Sequence, residues 1–274
     1  MELMQIITLG SAPDPYPMPT ADIVGNLFNV QSYRTPVQPQ AIVPGENTAV
    51  WLAVGQSTGA CGNDDTQYSV NNPKSQNFNC YDGAIYSADT PTLGCQGFGG
   101  NWNSRACDKL IASGGNPFQR VIVAPIGVGG TTIAQWQPTG GVLWQRIVSA
   151  KARLDSRGLT PTFITWMQGE SDFTTTQAAY AASFADLVSG VRGLGYNMPI
   201  FISQTTLQGG VTLPNVRAAQ AAAVNNGAGI YAGPDTDTLT GATNRQASGN
   251  NAHFTGVGSD ACATLWTAAI DAVF

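Results

Sequence analysis

Charged residues are scarce in this sequence of 274 residues: Asp, Glu, Lys and Arg make up 11% of it, where about a quarter is usual. Only three lysines occur, and 12 basic residues stand against 17 acidic ones, which gives a net charge of -5. Nucleic acids and anionic membranes bind basic surfaces, so neither is expected as a partner. No run of residues approaches the roughly 20 apolar positions of a membrane-spanning helix. The composition therefore predicts a soluble globular protein.

Metal-ligating side chains are also few. The sequence contains one histidine, His253, and no two cysteines in a Cys-x-x-Cys spacing. Protein sites for zinc and related metals are built from several His or Cys ligands. A transition-metal site is therefore not expected.

The five cysteines are unevenly distributed. Cys61, Cys80, Cys95 and Cys107 fall in one Gly- and Asn-rich stretch, and Cys262 lies far from them. Disulfides in such a loop are typical of exported proteins, so we expect disulfides among these four and an unpaired thiol at Cys262. Five buried, reduced thiols are the alternative. No signal peptide is recognised at the amino terminus, and the expected location is extracellular or in a virion released by lysis.

The chain divides into a proline-rich beginning and a region of alternating strands and helices. Prolines recur through residues 1–47, and we predict an extended segment packed on the domain. Residues 48–274 are predicted to form one domain, with a Cys-rich insertion at 59–116 that shows no clear periodicity. An aperiodic loop of that length is usually functional or independently ordered.

Short apolar runs predict buried strands, and periodic stretches predict helices. The strands are expected at 48–54, 120–124, 162–167, 199–203 and 229–232, and the helices at 141–156, 177–194, 213–225 and 256–273. Strands and helices in alternation predict a mostly parallel sheet with helices on both faces, which is a three-layer α/β/α sandwich.

Candidate catalytic residues follow the predicted strands, where ligands bind in open α/β sheets. Ser57 follows the first strand, Glu170 follows the third, and His253 lies near the end of the chain. A serine hydroxyl becomes a nucleophile when a base removes its proton, and a carboxylate holds that base in one tautomer. These three residues supply a nucleophile, a base and a carboxylate. The local sequence also fits a turn serine at Ser57, a helix-terminal acid at Glu170 and a structural histidine at His253.

The Gly-x-Ser-x-Gly pattern at 55–59 matches the nucleophile elbow of α/β-hydrolases, but the match is weak. That fold has several strands before the elbow and an acidic residue late, between the serine and the histidine. Only one clear strand precedes Ser57 here.

Four blocks together are more specific: Gly-Gln-Ser at 55–57, Gly-Gly-Thr-Thr-Ile-Ala-Gln-Trp at 129–136, Trp-Met-Gln-Gly-Glu-Ser-Asp at 166–172 and Asn-x-x-His at 250–253. They resemble the SGNH hydrolases, in the branch of sialate O-acetylesterases and acetylxylan esterases (carbohydrate esterase family six-like). The resemblance spans roughly residues 48–270. It implies a flavodoxin-like α/β/α sandwich with a mostly parallel five-stranded sheet.

The resemblance also implies roles for individual residues. Ser57 is the expected nucleophile and His253 the general base. The oxyanion hole is expected from the backbone N–H groups of Ser57 and Gly130 (or Gly129), aided by the Gln168 side chain. A glycine suits position 130 because a donor must approach the oxyanion to about 3 Å.

Substrate contacts are less well defined by the resemblance. Gln56, Thr131 and Trp136 are the expected substrate-binding residues. Trp102, Trp136 and Trp144 are the rings that can stack on a sugar, with packing in the core or a lid as the alternative for each.

The last block departs from the family pattern at Asn250, where the superfamily usually has Asp. An amide accepts a hydrogen bond from an imidazole but cannot balance its positive charge. Glu170 is therefore the expected triad acid, with Asp172 a weaker third possibility. If none of these residues serves, a Ser-His dyad of reduced activity remains.

The expected function is that of a carbohydrate O-acetylesterase with a Ser57–His253–Glu170 triad and no cofactor. Its substrate is expected to be an acetylated polysaccharide or oligosaccharide, and the low charge suits a neutral one. Two alternatives stay open: an esterase for other small acyl groups, and a glycan-binding or virion-attachment module with weakened turnover.

Overall fold

The computed structural model describes Val37 and residues 45–274. Most of the predicted N-terminal segment 1–47 therefore lies outside the described residues, and its packing on the domain stays a prediction. Val37 donates its backbone N–H to the carbonyl of Ile85 at 2.7 Å.

One sheet runs through the centre of the domain. Its strands are β1 (Thr48–Gly55), β2 (Ser75–Phe78), β3 (Ile85–Ser87), β4 (Arg120–Pro125), β5 (Phe163–Met167), β6 (Ile200–Gln204) and β7 (Ile230–Asp235). They lie in the order β3-β2-β4-β1-β5-β6-β7. All neighbours are parallel except β2 and β3. The predicted fold class is confirmed.

The expected number of five strands is wrong, since the sheet has seven. The additional strands β2 and β3 lie in the insertion 59–116, are four and three residues long, and lack the apolar run that marks the others. Asn77 of β2 is buried because its amide donates to the carbonyls of Leu93 and Val123. Side-chain hydrogen bonds thus let a polar strand occupy a buried position.

Helices cover both faces of the sheet. They are α1 (Ser57–Ala60), α2 (Trp102–Ser113), α3 (Trp144–Ser156), α4 (Gln177–Gly193), α5 (Pro214–Ala222), α6 (Gly241–Asn244) and α7 (Gly256–Asp271). The four predicted helices correspond to α3, α4, α5 and α7. Helix α2 lies in the insertion, where the Asn101 side chain caps it by accepting from the N–H of Ser104 and Gly114 ends it at φ 69°. Over the described ranges, none of the helices has the length and hydropathy of a membrane span.

Residues of β1 alternate between two apolar layers, because successive side chains of a strand point to opposite faces. Leu52 faces the layer formed with α3, α4 and α5. Trp51 faces the layer formed with α2 and α7, where Trp102 and Trp266 stack with ring centroids 5.1 Å apart. Both faces of the central strand are therefore buried, as its continuous apolar run predicts.

The five cysteines are all buried, and the structure joins none of them by a disulfide. The disulfides expected among Cys61, Cys80, Cys95 and Cys107 are therefore not confirmed. Burial raises the pKa of the Cys80 thiol to about 12 and that of the Cys262 thiol well above its ordinary value. These cysteines pack as small apolar residues.

Asp64 connects the insertion to α7. Its backbone pairs with Gly100 through two hydrogen bonds of 3.0 and 2.9 Å, and its carboxylate accepts from the hydroxyl of Ser259 at the start of α7. The residue is 5% exposed, and burial raises the pKa of its carboxyl from 3.8 to about 8. The folded protein therefore holds a proton that the unfolded chain releases at lower pH.

This difference predicts a pH dependence of stability. The stabilisation from protonated Asp64 is fully present below its unfolded pKa, about 3.8, and is lost as the pH rises toward about 8. The variant Asp64→Asn keeps a neutral acceptor for Ser259, so its free energy of unfolding should fall less than that of the wild type between pH 5 and pH 8. Urea denaturation of both proteins measures the difference, and parallel pH dependences would contradict the assignment.

Candidate active site

A pocket of about 830 Å³ opens at the carboxyl edge of the sheet. Ser57 after β1, Gly130 after β4 and Glu170 after β5 line it, together with His253 from the turn before α7. Parallel strands end at the same edge, and these four predicted residues line one pocket although they are far apart in the chain.

The position of Ser57 depends on the close approach of its flanking glycines to β5. A Cβ on Gly55 would lie 2.1 Å from the carbonyl oxygen of Met167, and a Cβ on Gly59 would lie 2.2 Å from the same atom. A side chain at Gly55 would push the end of β1 away from β5, and one at Gly59 would push α1 away from β5. The glycines of the Gly-x-Ser-x-Gly pattern thus hold Ser57 directly above the edge of the sheet.

Gly129 and Gly130 differ in what their N–H groups contact. The N–H of Gly129 donates to the side-chain oxygen of Gln96 at 2.7 Å. Gly130 adopts φ 70° in the left-handed region, and a Cβ there would meet no atom within 4 Å. Its N–H has no acceptor among the residues that the structure describes. Gly130 is therefore the more available donor of the two.

Glu170 is almost fully buried beside the pocket, at 1% exposure. Its Oε1 accepts from the hydroxyls of Thr58 and Thr205, whereas its Oε2 is buried with no hydrogen-bond partner in the described part of the chain. Burial raises the pKa of this carboxyl, and the hydroxyl of Thr58 and the cation of Arg245 partly oppose that rise. One oxygen of this buried carboxyl is therefore still available to accept a hydrogen bond.

His253 is half-buried in a tight turn that packs against its ring. A Cβ on Gly249 would lie 2.6 Å from Nδ1 of His253, so only glycine leaves room for the imidazole. Arg245 holds the turn by donating to the carbonyls of Ala252 and Thr236. Burial and the Arg245 cation lower the pKa of His253, which favours the neutral form that accepts a proton.

Neither ring nitrogen of His253 forms a hydrogen bond with another described residue, Glu170 included. The Asn250 side chain lies against Gly209, 3.2 Å from the position of a Cβ there. Asp172 does not line the pocket, and its carboxylate accepts from the Gln168 amide and from the N–H of Ile133 at 3.1 Å. Among these acids and amides, Glu170 is the carboxylate that lines the pocket.

Gln168 lies behind the pocket wall. It is fully buried, and its amide donates to the carbonyl of Thr131 at 2.8 Å and to Gln56 at 3.2 Å. Gln56 lines the pocket, while Gln168 does not. The amide expected in the oxyanion hole is thus engaged in a buried network that holds the loops after β1 and β5 together.

Thr131 and Trp136 also lie away from the pocket surface. Both are buried, and the indole N–H of Trp136 donates to the hydroxyl of Thr131 at 3.1 Å. Trp102 is buried as well and donates to the carbonyl of Thr58, and Trp144 packs against the core beside α4. None of these rings lines the pocket. Trp102 and Trp136 are fully buried and offer no face to a sugar, and the half-buried Trp144 lies outside the pocket.

Four pocket residues come from the insertion and were not predicted from the sequence: Asn63, Gln96, Gly97 and Phe98. No periodicity or motif marks them, and the signal available was the length of the aperiodic insertion itself. Within residues 45–274, no group of three or more His, Cys, Asp or Glu side chains is arranged to hold a metal ion.

The seven-stranded, mostly parallel sheet flanked by helices is the fold of the SGNH hydrolases. The chain belongs to the carbohydrate esterase family of sialic acid-specific acetylesterases, whose profile matches residues 47–262. The protein is therefore an esterase by family, and the resemblance inferred from the four sequence blocks is confirmed.

Solved structures share the fold. A protein from Arabidopsis thaliana is similar with a TM-score of 0.62 and 18% identity over 82% of this chain and 98% of its own. A protein from Parabacteroides merdae, provisionally assigned as a GDSL-like lipase, is similar with a TM-score of 0.51 and 16% identity over 82% of this chain and 96% of its own. Comparison with curated proteins gives no match.

The pKa of His253 can be measured directly, because it is the only histidine in the chain. We expect the midpoint of its imidazole titration in the folded, untagged protein to lie below 6.5, since burial and Arg245 disfavour the cation. A carbon-detected or heteronuclear NMR titration of the single imidazole signal gives this value. The urea-unfolded chain is the control and should titrate near 6.5. A folded-state midpoint at or above the unfolded one would contradict the described environment.

Proposed function

We propose that the protein is a carbohydrate O-acetylesterase that uses Ser57, His253 and Glu170. The observation that carries the proposal is that these three side chains and Gly130 line one pocket at the carboxyl edge of the sheet. A serine, a base of lowered pKa and a buried carboxylate are the groups that acyl transfer to water requires.

In the proposed first step, His253 takes the proton of the Ser57 hydroxyl while Oγ attacks the acetyl carbonyl carbon. The carbonyl oxygen becomes an oxyanion that accepts from the N–H groups of Ser57 and Gly130. Collapse of this intermediate breaks the bond to the sugar oxygen, which receives the proton from His253. Water then repeats the sequence on the acetyl-enzyme and releases acetate. Each oxyanion donor typically contributes a factor of about 10² to 10³ in rate.

Gly130 is preferred to Gly129 as the second oxyanion donor. The N–H of Gly129 is already engaged with Gln96, whereas that of Gly130 is open and its position lacks a Cβ. The Gln168 amide acts indirectly in this scheme, because its hydrogen bonds join Gln56 to the loop that carries Thr131.

Glu170 is proposed as the acid that stabilises the imidazolium. Its unpartnered Oε2 provides an acceptor. Burial raises the pKa of this carboxyl, and the Thr58 hydroxyl and the Arg245 cation oppose that rise. Formation of a positive charge on His253 would add a second favourable interaction to this buried carboxylate. Asn250 offers no charge, and its side chain lies against Gly209.

The substrate is proposed to be an acetylated glycan outside the cell. A pocket of about 830 Å³ is larger than an acetyl group needs and leaves room for a sugar ring. The amides of Asn63, Gln208 and Asn250 line it, and such groups pair with hydroxyls without requiring charge. A small-acyl esterase and a glycan-binding module without turnover are the competing functions.

Replacing the nucleophile tests the reaction. The variant Ser57→Ala should lose acetate release from p-nitrophenyl acetate and from acetylated oligosaccharides by at least about 10³-fold, because no residual group can form the acyl-enzyme. Ser171→Ala is the matched control, since Ser171 lines the same pocket and has no assigned role. Unchanged turnover in Ser57→Ala, or a wild type that binds glycan but releases no acetate, would overturn the proposal.

The triad acid is tested by an isosteric change at Glu170 and a truncation at Asn250. Glu170→Gln should lower kcat by about 10²- to 10⁴-fold, because an amide cannot balance the imidazolium. Asn250→Ala should change kcat by less than about tenfold, because that side chain carries no charge. Steady-state kinetics of the two variants measure the losses in kcat, and circular dichroism checks that both are folded. A larger loss in Asn250→Ala than in Glu170→Gln would assign the third residue of the triad to position 250.

A further inference from the structure

We infer that Gln96, Gly97 and Phe98 form a subsite that holds the uncharged sugar ring of the leaving group, with Phe98 as its stacking surface. The inference rests on the proposed function and extends it by naming the class of alcohol that the enzyme releases. Four observations on the described residues carry it: the exposure of Phe98, the rigidity of its backbone, its connection to the oxyanion loop, and the charge of the pocket.

Phe98 is the most exposed large hydrophobic residue in the described part of the chain, at 65%. Single exposed aromatic residues are common and by themselves indicate nothing. Phe98 differs from Phe173, which is 61% exposed, because Phe98 lines the pocket that contains Ser57 and Phe173 does not. An apolar ring thus stands open to solvent within reach of a ligand in the candidate active site.

The backbone that carries this ring is firmly held. The N–H of Gly62 donates to the carbonyl of Gln96 at 2.9 Å, and the N–H of Gly99 donates to the carbonyl of Gly62 at 2.8 Å. The Gln67 amide donates to the carbonyl of Phe98 at 2.9 Å. Gly97 adopts φ 97°, and a Cβ there would lie 2.3 Å from the carbonyl oxygen of Gly62. The ring is therefore presented by a fixed segment, which lowers the entropy lost on binding.

Gln96 fastens the same segment to the loop that carries Gly130. Its side-chain oxygen accepts from the N–H of Gly129, and a Cβ on Gly129 would lie 3.5 Å from Cβ of Ser57. The backbone of Phe98 is therefore connected to the loop that supplies the proposed oxyanion donor. A sugar stacked on Phe98 would present its ester at a reproducible distance from Ser57.

The charge of the pocket selects the kind of sugar. No Lys or Arg lines it among the described residues, and its one carboxyl is that of Glu170. An anionic sugar would find no cation to pair with and would be repelled by that carboxylate. A neutral pyranose can place its C–H face on Phe98 and its hydroxyls on the amides of Asn63 and Gln208. The geometry points to acetylated neutral pyranosides.

The test compares two acetates that differ by one carboxylate: an acetylated methyl glucoside and the corresponding acetylated methyl glucuronide. We expect kcat/KM of the wild type to be at least about tenfold higher for the neutral ester, because burial of an unpaired carboxylate is costly. Phe98→Ser should raise KM for the neutral ester about tenfold with kcat little changed, since aromatic contacts contribute roughly that factor. Phe98→Trp should restore the wild-type KM.

Two controls separate stacking from other effects. Phe173→Ser removes an equally exposed ring outside the pocket and should leave all constants unchanged. Glycerol triacetate has no ring, so Phe98→Ser should change its kcat/KM by less than about twofold. An unchanged KM for the glucoside in Phe98→Ser, or a preference for the glucuronide, would overturn the inference.

Failure of the proposed function is distinguishable from failure of the subsite. If the wild type hydrolyses none of the three acetates, the esterase mechanism is refuted. The subsite is then tested by measuring the affinity for the ligand instead of its turnover. Calorimetry of the acetylated methyl glucoside with Ser57→Ala and with the double variant Ser57→Ala/Phe98→Ser should then show Kd about tenfold weaker in the double variant. Equal Kd values would refute the subsite as well.

Discussion

The contact between the end of β1 and the end of β5 is the constraint on which the candidate site depends. Gly55 and Gly59 both meet the carbonyl oxygen of Met167 at distances that exclude a Cβ. The turn that carries Ser57 is thereby fixed to the strand that leads into Glu170. Gly130 and His253 are brought to the same edge by the parallel strands and by the turn before α7.

The site is supported by buried polar groups and contains few charges. Gln168, Asp172 and Gln220 form hydrogen bonds behind the pocket wall that connect the loops after β1, β4, β5 and β6. A buried polar group without a partner costs free energy, so such a network specifies the arrangement of the loops. Glu170 and Gln208, which both line the pocket, each have one buried oxygen without a described partner. Unsatisfied acceptors of this kind are exceptions that a functional site retains.

The regular part of the fold could be predicted from the sequence, since β1, β4, β5, β6 and β7 are continuous apolar runs and the helices between them are periodic. The rule that loops after parallel strands share one edge predicts that Ser57 and Glu170 line the same pocket, whereas the place of His253 was expected from the Asn-x-x-His block. The strands β2 and β3 could not be found, because their burial depends on side-chain hydrogen bonds such as those of Asn77. The choice between sugar contact and core packing for Trp136 could not be made from the sequence, because its position after a strand does not reveal which way the ring points.

The hydrogen bond between Gln96 and Gly129 joins two parts of the chain with different origins in the sequence. One part is the insertion, which supplies Phe98, and the other is the loop after β4, which belongs to the common sheet. Under the proposed function, a change near position 98 would alter the surface offered to the leaving group and leave the strands of the sheet unchanged. The alcohol and the acyl group would then be recognised by separate parts of the chain.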